Sequence, residues 1–176
     1  MIDQLPVYMP FMFAVALSVC LLWVVVSDAV RYIIPNKVNL ALLLLFVAGL
    51  FLLPVQPLSA LGLALVAAAL VLAVGLGLFA LGLMGGGDVK LLAVLTLWTG
   101  WHMVTVQFLF MTTMAGGVLV LVVLVARFFL PPIWIKLHPG RNLPRLFTAK
   151  QPVPYGIAIA GAFAWLMWVG DIPVLR

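Results

Sequence analysis

The sequence contains no glutamate, only four aspartates and a single cysteine among its 176 residues. Nine basic and four acidic side chains are too few to cover a water-soluble domain of this size, and 67% of the residues are hydrophobic. We therefore interpret the chain as an integral membrane protein. The lone cysteine, Cys20, excludes an internal disulfide and a Cys-x-x-Cys metal site. The lack of glutamate excludes the His-Glu-x-x-His motif of zinc proteases. We expect no cofactor and no metal ion.

Long uncharged runs predict the architecture, because about 20 apolar residues are needed to cross the hydrocarbon core. Residues 91–126 carry no charge, and as one helix they would be roughly 54 Å long, well beyond a core of about 30 Å. We place a break at residues 99–102, where a glycine and an interface-type tryptophan interrupt the apolar pattern. The predicted fold class is all-α, a polytopic membrane protein with six transmembrane helices in one domain, residues 1–176. The predicted spans are approximately residues 9–27, 38–54, 58–83, 89–101, 103–126 and 152–170.

The basic residues predict the orientation, because lysine and arginine near helix ends are retained on the cytoplasmic side. With six spans, eight of the nine basic residues fall on one face, and only Arg176 falls on the other, with Asp3 and Asp171. This distribution predicts a cytoplasmic basic face and a periplasmic N-terminus. The stretch from residue 128 to 147 mixes prolines, aromatics and basic residues, which is typical of a segment on anionic headgroups. A role in gating substrate is its alternative interpretation.

Two aspartates, Asp28 and Asp88, lie at the predicted cytoplasmic border of the membrane. Asp28 closes the first apolar run and Asp88 opens the fourth. Ionisable groups next to hydrocarbon are costly, so two acids at one depth are candidates for function. They offer the chemistry of an aspartic protease, in which an ionised carboxylate takes a proton from water and a protonated one hydrogen-bonds the scissile carbonyl. Two carboxyl groups at close range cannot both ionise, because their negative charges repel each other. Such a pair therefore shares one proton.

Each aspartate also has a structural explanation. Asp88 follows glycines and precedes an apolar helix, so it is equally well placed as a helix cap. Asp28 is harder to explain, because a carboxylate in the last turn of a helix opposes the helix dipole, and pairing with Arg31 is its best structural alternative. A helix cap at Asp88 would not require the three consecutive glycines of residues 85–87. Without Cβ atoms they permit a tight turn and close approach of a substrate backbone.

The motifs around both aspartates resemble those of a known family. Gly-Gly-Gly-Asp at residues 85–88 is similar to the Gly-x-Gly-Asp (GxGD) signature of membrane-border aspartic peptidases. SDAVRYIIPN at residues 27–36 resembles the first-aspartate motif of the type IV prepilin peptidases, and VPYGIA at residues 153–158 resembles the opening of their last span. The short chain is most similar to the prepilin peptidases of the Flp, or tight-adherence, pilus systems (the TadV/CpaA type).

This resemblance implies that Asp28 and Asp88 are the catalytic pair of an aspartic endopeptidase. Its substrate would be the N-terminal leader of an Flp-type prepilin or pseudopilin precursor, cleaved at the cytoplasmic border of the bacterial inner membrane. The expected partners are this precursor and membrane lipids, with no nucleic acid. Bifunctional members carry an extra domain with paired cysteines and also methylate the new N-terminus. This chain has one cysteine and no such insertion, so we expect no N-methyltransferase activity.

Other residues are candidates for shaping the site or binding substrate: Gly85, Gly86, Gly87, Lys90, Pro35, Asn36, Tyr155 and Gly156. Lys90 either lowers the pKa of Asp88 and contacts substrate or extends to the headgroups. Pro35 and Asn36 are expected to shape the turn into the second helix. Tyr155 either lines the site or anchors the chain at the interface.

Two other functions agree less well with the sequence. A serine intramembrane protease needs a Ser–His pair, but Ser27 and His102 fall on opposite faces in the predicted topology. A small proton-coupled transporter or channel is the remaining alternative, since membrane aspartates can carry protons. Transporters bind their ions near the midplane, whereas these two aspartates lie at one border, which favours the peptidase.

Overall fold

The computed structural model describes residues 5–53, 57–138, 140 and 153–175. Within these ranges the chain forms six α-helices and a short 3-10 helix, without a strand, so the all-α prediction is confirmed. The helices are α1 (Leu5–Arg31), α2 (Asn36–Leu52), α3 (Leu58–Ala80), α4 (Gly86–Thr99), α5 (Met103–Leu137) and α6 (Gly156–Val169), followed by the 3-10 helix (Pro173–Leu175).

The long charge-free run is divided near the expected point. Helix α4 ends at Thr99, and Gly100 adopts a φ of 68°, which is readily accessible only to glycine. Helix α5 begins at Met103 and extends beyond the predicted span through two prolines to Leu137, so residues 128–137 belong to this helix. The rest of the expected headgroup segment, residues 141–147, lies outside the described residues, as does Asp3.

The two short helices α4 and α6 lie at the centre of the fold. Helix α4 packs against α2, α3, α5 and α6, while α6 also contacts α1 and α5. Nearly every residue of α4 from Val89 onward is buried, and α3 packs closely where a Cβ on Gly75 would lie 2.7 Å from Val89 Cγ1. At 14 residues each, α4 and α6 are about 21 Å long, shorter than a ~30 Å hydrocarbon core.

Aromatic side chains fill the core between the helices. Trp98 of α4 is fully buried, with its ring centroid 6.3 Å from that of Phe13 and 5.5 Å from that of Phe46. Phe108 and Phe163 meet edge to face at 5.7 Å and join α5 to α6. These contacts fix the relative positions of the helices that carry the two aspartates.

The outer surface is apolar, as the composition requires. Three helices in the described ranges are long and apolar enough to cross a membrane: Tyr8–Arg31, Leu58–Ala80 and Met103–Leu137. They expose large apolar side chains such as Phe11, Leu65 and Phe110. Exposed apolar surface on this scale is stable only in lipid, so the chain is a membrane protein. The assignment of all six helices as spans, and of residues 1–176 as one domain, stays a prediction.

Candidate active site

A cavity of about 690 Å³ lies at the end of the bundle where α1 ends and α4 begins. Asp28 and Asp88 both line it, although they are far apart in the sequence. The other lining residues are Tyr32, Ile33, Ile34, Gly82, Leu83, Met84, Gly85, Gly86, Gly87, Val120, Val153 and Tyr155. The structure therefore brings together the two predicted catalytic residues, the triple glycine and one predicted site-shaping tyrosine.

Asp28 is held by the way α1 ends. Tyr32 adopts a φ of 57°, in the left-handed region, and its backbone N–H donates to the Asp28 carbonyl at 3.0 Å. The Ser27 hydroxyl then donates to the Ile33 carbonyl at 2.8 Å. These bonds turn the chain sharply, so that buried Ile34 folds back beside the last turn of α1. The Asp28 side chain is left pointing inward, with only 4% of its surface exposed.

The carboxyl group of Asp28 meets the beginning of α6. The backbone N–H groups of Gly156 and Ile157 approach it, although its Oδ2 atom completes no hydrogen bond with the described residues. A Cβ on Gly156 would lie 2.8 Å from Oδ2, so glycine permits this approach. The sequence indicates two surroundings for Asp28, the unfavourable end of its own helix dipole and a pairing with Arg31, which is exposed in the structure. The positive end of a second helix was not foreseen.

Asp88 occupies the first turn of α4, ahead of the apolar part of that helix and outside the three long membrane-spanning helices. Burial raises its pKa to about 7, the negative charge of Asp28 adds to this rise, and the backbone N–H of Gly85 opposes it. A carboxyl group with this pKa is partly protonated at neutral pH. The pair can therefore present one ionised and one protonated group under the same conditions.

The glycines before Asp88 allow neighbouring atoms to pack closely against the backbone at the start of α4. The positive φ of this turn belongs to Gly82, at 71°, whereas Gly85 has a φ of −73°. A Cβ on Gly85 would lie 2.7 Å from Asp88 Oδ2, and one on Gly87 would lie 3.1 Å from Ile34 Cβ. The tight turn expected at the triple glycine thus depends on Gly82 instead, while the triple glycine lets α4 pack beside the turn after α1.

Tyr155 forms another wall of the cavity, just before α6. Its ring rests on α5 at Gly116, where any Cβ would overlap the ring. Burial raises the pKa of the Tyr155 phenol, and the charge of Asp88 raises it further. The phenol therefore stays protonated, and its ring lines the cavity.

Other predicted site residues lie beside the cavity without lining it. The Lys90 ammonium group is exposed and donates to Asn36 Oδ1 at 3.1 Å, which ties the start of α4 to the start of α2. Pro35 immediately precedes α2 with an extended backbone, and Asn36 is its first residue, in agreement with their expected place in the turn.

Several lining residues were missed by the sequence patterns. Tyr32 lies within the first motif, but its left-handed conformation has no sequence signal, because tyrosine seldom adopts it. Val120 lies inside the long apolar run, where nothing distinguishes it from lipid-facing neighbours. Met84 precedes the triple glycine and Val153 is the first residue of the VPYGIA motif, so their position at these motifs was the one available signal.

The sequence model of the type IV leader peptidase family matches residues 15–126, which is more than half of the chain and includes both aspartates. The chain belongs to the type IV leader peptidase family. This confirms the resemblance of the aspartate motifs and identifies the protein as a peptidase with a prepilin-type protein substrate. Comparisons with individual curated proteins and with solved structures found no match. The matched region of the leader peptidase ends within α5, so Tyr155 and Gly156 lie beyond it.

Proposed function

We propose that this leader peptidase is an aspartic endopeptidase of the GxGD type, with Asp28 and Asp88 as its catalytic pair. The observation that carries the proposal is that both carboxyl groups line one cavity of about 690 Å³ at the same end of the bundle. The raised pKa of Asp88 supports it, because an acid that titrates at about 7 can hold the shared proton near neutral pH. The lining glycines support it further, since they leave room for a substrate backbone.

The reaction needs one ionised and one protonated carboxyl group. The ionised group takes a proton from a water molecule while the water oxygen attacks the scissile carbonyl carbon. The protonated group hydrogen-bonds the carbonyl oxygen and stabilises the charge that develops there. Collapse of the tetrahedral intermediate breaks the C–N bond, and the leaving amine takes up a proton.

The proposed substrate is the leader of an Flp-type prepilin or pseudopilin precursor, cleaved on the cytoplasmic side of the bacterial inner membrane. Six membrane spans with a periplasmic N-terminus agree with the basic residues, eight of which fall on one face in that topology. We propose that the enzyme lacks N-methyltransferase activity, because the chain has a single cysteine, buried in α1, and cannot form the paired-cysteine domain of bifunctional members.

The test is leader removal from a co-expressed Flp-type prepilin by Asp28→Asn and Asp88→Asn variants. Each variant should lose about 10²–10⁴-fold or more of the activity, because each removes one proton-transfer group. Asp171→Asn is the matched control, since it removes a carboxylate that follows α6 and does not line the cavity. Membrane fractions must contain all three variants in similar amounts.

Full processing by either asparagine variant would remove that residue from the catalytic role. Mass spectrometry of the mature pilin tests the methylation proposal in the same cells. A free N-terminal amine is expected, and an N-methylated product would overturn that part of the proposal.

A further inference from the structure

Asp28 is the most deeply buried charged side chain among the described residues, and its Oδ2 atom has no hydrogen-bond partner there. It lies in the last turn of α1, where the dipole of its own helix disfavours a negative charge. Burying a carboxylate without compensation is costly. Either another element stabilises the charge, or the group holds a proton.

The compensating element is the N-terminus of α6, a helix of 14 residues. Its first N–H groups, those of Gly156 and Ile157, approach the Asp28 carboxyl group. Helix N-termini favour anions, because their backbone N–H groups are free and the dipole presents its positive end. A Cβ on Gly156 would lie 2.8 Å from Asp28 Oδ2 and 2.8 Å from Ile34 Cδ1, so a larger residue would push the carboxyl group or the helix away.

Asp88 has a different environment, although it lines the same cavity. It lies in the first turn of α4, beside Gly85, and the charge of Asp28 acts on it. The other titratable groups that line the cavity are the phenols of Tyr32 and Tyr155. Of the nearby cations, Arg31 and Lys37 are exposed, and Lys90 is directed to Asn36. None of these three cations lines the cavity, and among the described residues the N-terminus of α6 is the positive element that approaches Asp28.

We propose that Gly156 and the N-terminus of α6 hold Asp28 as the ionised member of the pair, so that Asp28 is the general base and Asp88 carries the shared proton. This inference rests on the proposed aspartic mechanism and adds the division of labour within it. Gly156 acts as a positioning residue, because it works through Asp28.

The assignment gives a balanced proton cycle. Asp28 takes a proton from water as the water oxygen bonds to the carbonyl carbon, and Asp88 gives its proton to the carbonyl oxygen. When the C–N bond breaks, the proton on Asp28 passes to the leaving amine, and one hydroxyl of the intermediate returns a proton to Asp88. One water is consumed, and both carboxyl groups return to their starting states.

Gly156→Ala tests the positioning role, with Gly161→Ala as its matched control. Both residues lie in α6, but a Cβ on Gly161 meets nothing within 4 Å. In Gly156→Ala the new Cβ should displace the Asp28 carboxyl group. We expect this displacement to lower kcat by about 10²-fold with little change in KM. The acid limb of the pH profile should move to higher pH, because Asp28 loses its stabilising amides. The control should keep the kcat and pH profile of the parent.

A second variant separates displacement of Asp28 from simple crowding. Ile34→Val removes the Cδ1 atom that the new Cβ would strike and leaves the contact with Asp28. The Ile34→Val, Gly156→Ala double variant should therefore keep the low kcat of Gly156→Ala. The acid limb of its pH profile should also stay shifted to higher pH. Recovery of the parent pH profile in the double variant would overturn the positioning role.

A direct measurement needs no substitution at Gly156. The chain has four aspartates and no glutamate, so ¹³C labelling of aspartate side chains gives four carboxyl signals, assigned with aspartate-to-asparagine variants. In the parent protein the Asp28 signal should titrate at lower pH than the Asp88 signal. The reverse order would overturn the inference even if both aspartates are required for cleavage, so its failure is distinct from failure of the proposed function.

Discussion

Two buried polar groups at opposite ends of the helix bundle differ in their hydrogen bonding. At the end where α4 gives way to α5, the Thr99 and Thr105 hydroxyls lie 2.6 Å apart, and the Thr105 hydroxyl donates to the Gly100 carbonyl. At the other end, Asp28 Oδ2 has no hydrogen-bond partner among the described residues, and Asp28 lines the large cavity. Leaving a buried acceptor unpaired costs about 1–3 kcal/mol. We interpret this difference as stability given up at Asp28 for chemistry, whereas the hydrogen bonds of Thr99 and Thr105 stabilise the fold.

After the substitutions at the two aspartates and at Gly156, the largest effect is expected from filling the recess beneath Tyr155. In Gly116→Ala the new Cβ overlaps the Tyr155 ring, so the ring must leave its position in the cavity wall. We expect leader removal to fall by about 10²-fold, because even a shift near 1 Å disturbs a catalytic geometry. Stability should also fall by about 1–3 kcal/mol from overpacking. Activity on a prepilin and thermal melting in detergent measure the two effects.

Gly117→Ala is the control for this experiment, because it makes the same change at the next residue of α5 and its Cβ meets nothing within 4 Å. It should behave as the parent. A Gly116→Ala enzyme with parental activity would show that the position of Tyr155 does not matter to the site, and the contrast between the two ends would then rest on the aspartates alone.

A smaller effect should reveal the stability lost at the aspartate end. The pKa of Asp88 is raised to about 7 from an ordinary value near 4 in the unfolded chain, so the folded protein binds the extra proton between these limits. The stability associated with Asp88 is therefore fully present below about pH 4 and is lost as the pH rises through about 7. Asp88→Asn removes this loss because the amide cannot ionise.

We expect Asp88→Asn to be inactive yet to melt at a higher temperature than the parent at pH 8, with a smaller gap at pH 5. Thermal melting in detergent at both pH values measures this, and Asp171→Asn controls for the loss of an acid elsewhere. A parent protein that melts at the same temperature as Asp88→Asn at pH 8 would show that ionising Asp88 costs the fold nothing.

The features that the sequence predicted depend on residues close together along the chain. The all-α fold and the break near Gly100 follow from apolar length, because a charge-free run of 36 residues exceeds one membrane crossing. Asp28 and Asp88 were identifiable because acids are rare in this chain and costly beside lipid. Each of these inferences needs only local composition and a known bilayer thickness.

The features that were missed depend on contacts between distant segments. The amides that meet Asp28 come from α6, and the recess for Tyr155 is a glycine of α5 within a run of similar apolar residues. Lys90 had two candidate roles from its sequence position, and its contact with Asn36 was neither of them. Glycine has no side chain to suggest a partner, so its close contacts become visible only in the folded chain.

The smallest effect is expected at the threonine end. Thr105→Val keeps the shape of the side chain but removes the hydroxyl that contacts both Thr99 and Gly100. It should cost about 1–3 kcal/mol of stability, because the Gly100 carbonyl loses its donor, although the Thr99 hydroxyl can still donate to the Thr96 carbonyl. Thr113→Val is the control, since the exposed Thr113 hydroxyl donates only to the Leu109 carbonyl of its own helix at 2.8 Å, and its loss should cost less.

Both threonine variants should cleave prepilin at the parental rate at temperatures where they remain folded, since neither residue lines the aspartate cavity. Loss of activity in Thr105→Val under those conditions would mean that α4 transmits the disturbance from Thr99 along its length to Asp88. The two ends would then be coupled through one short, buried helix, and the hydrogen bonds at Thr99 would contribute to the geometry of the aspartate pair as well as to stability.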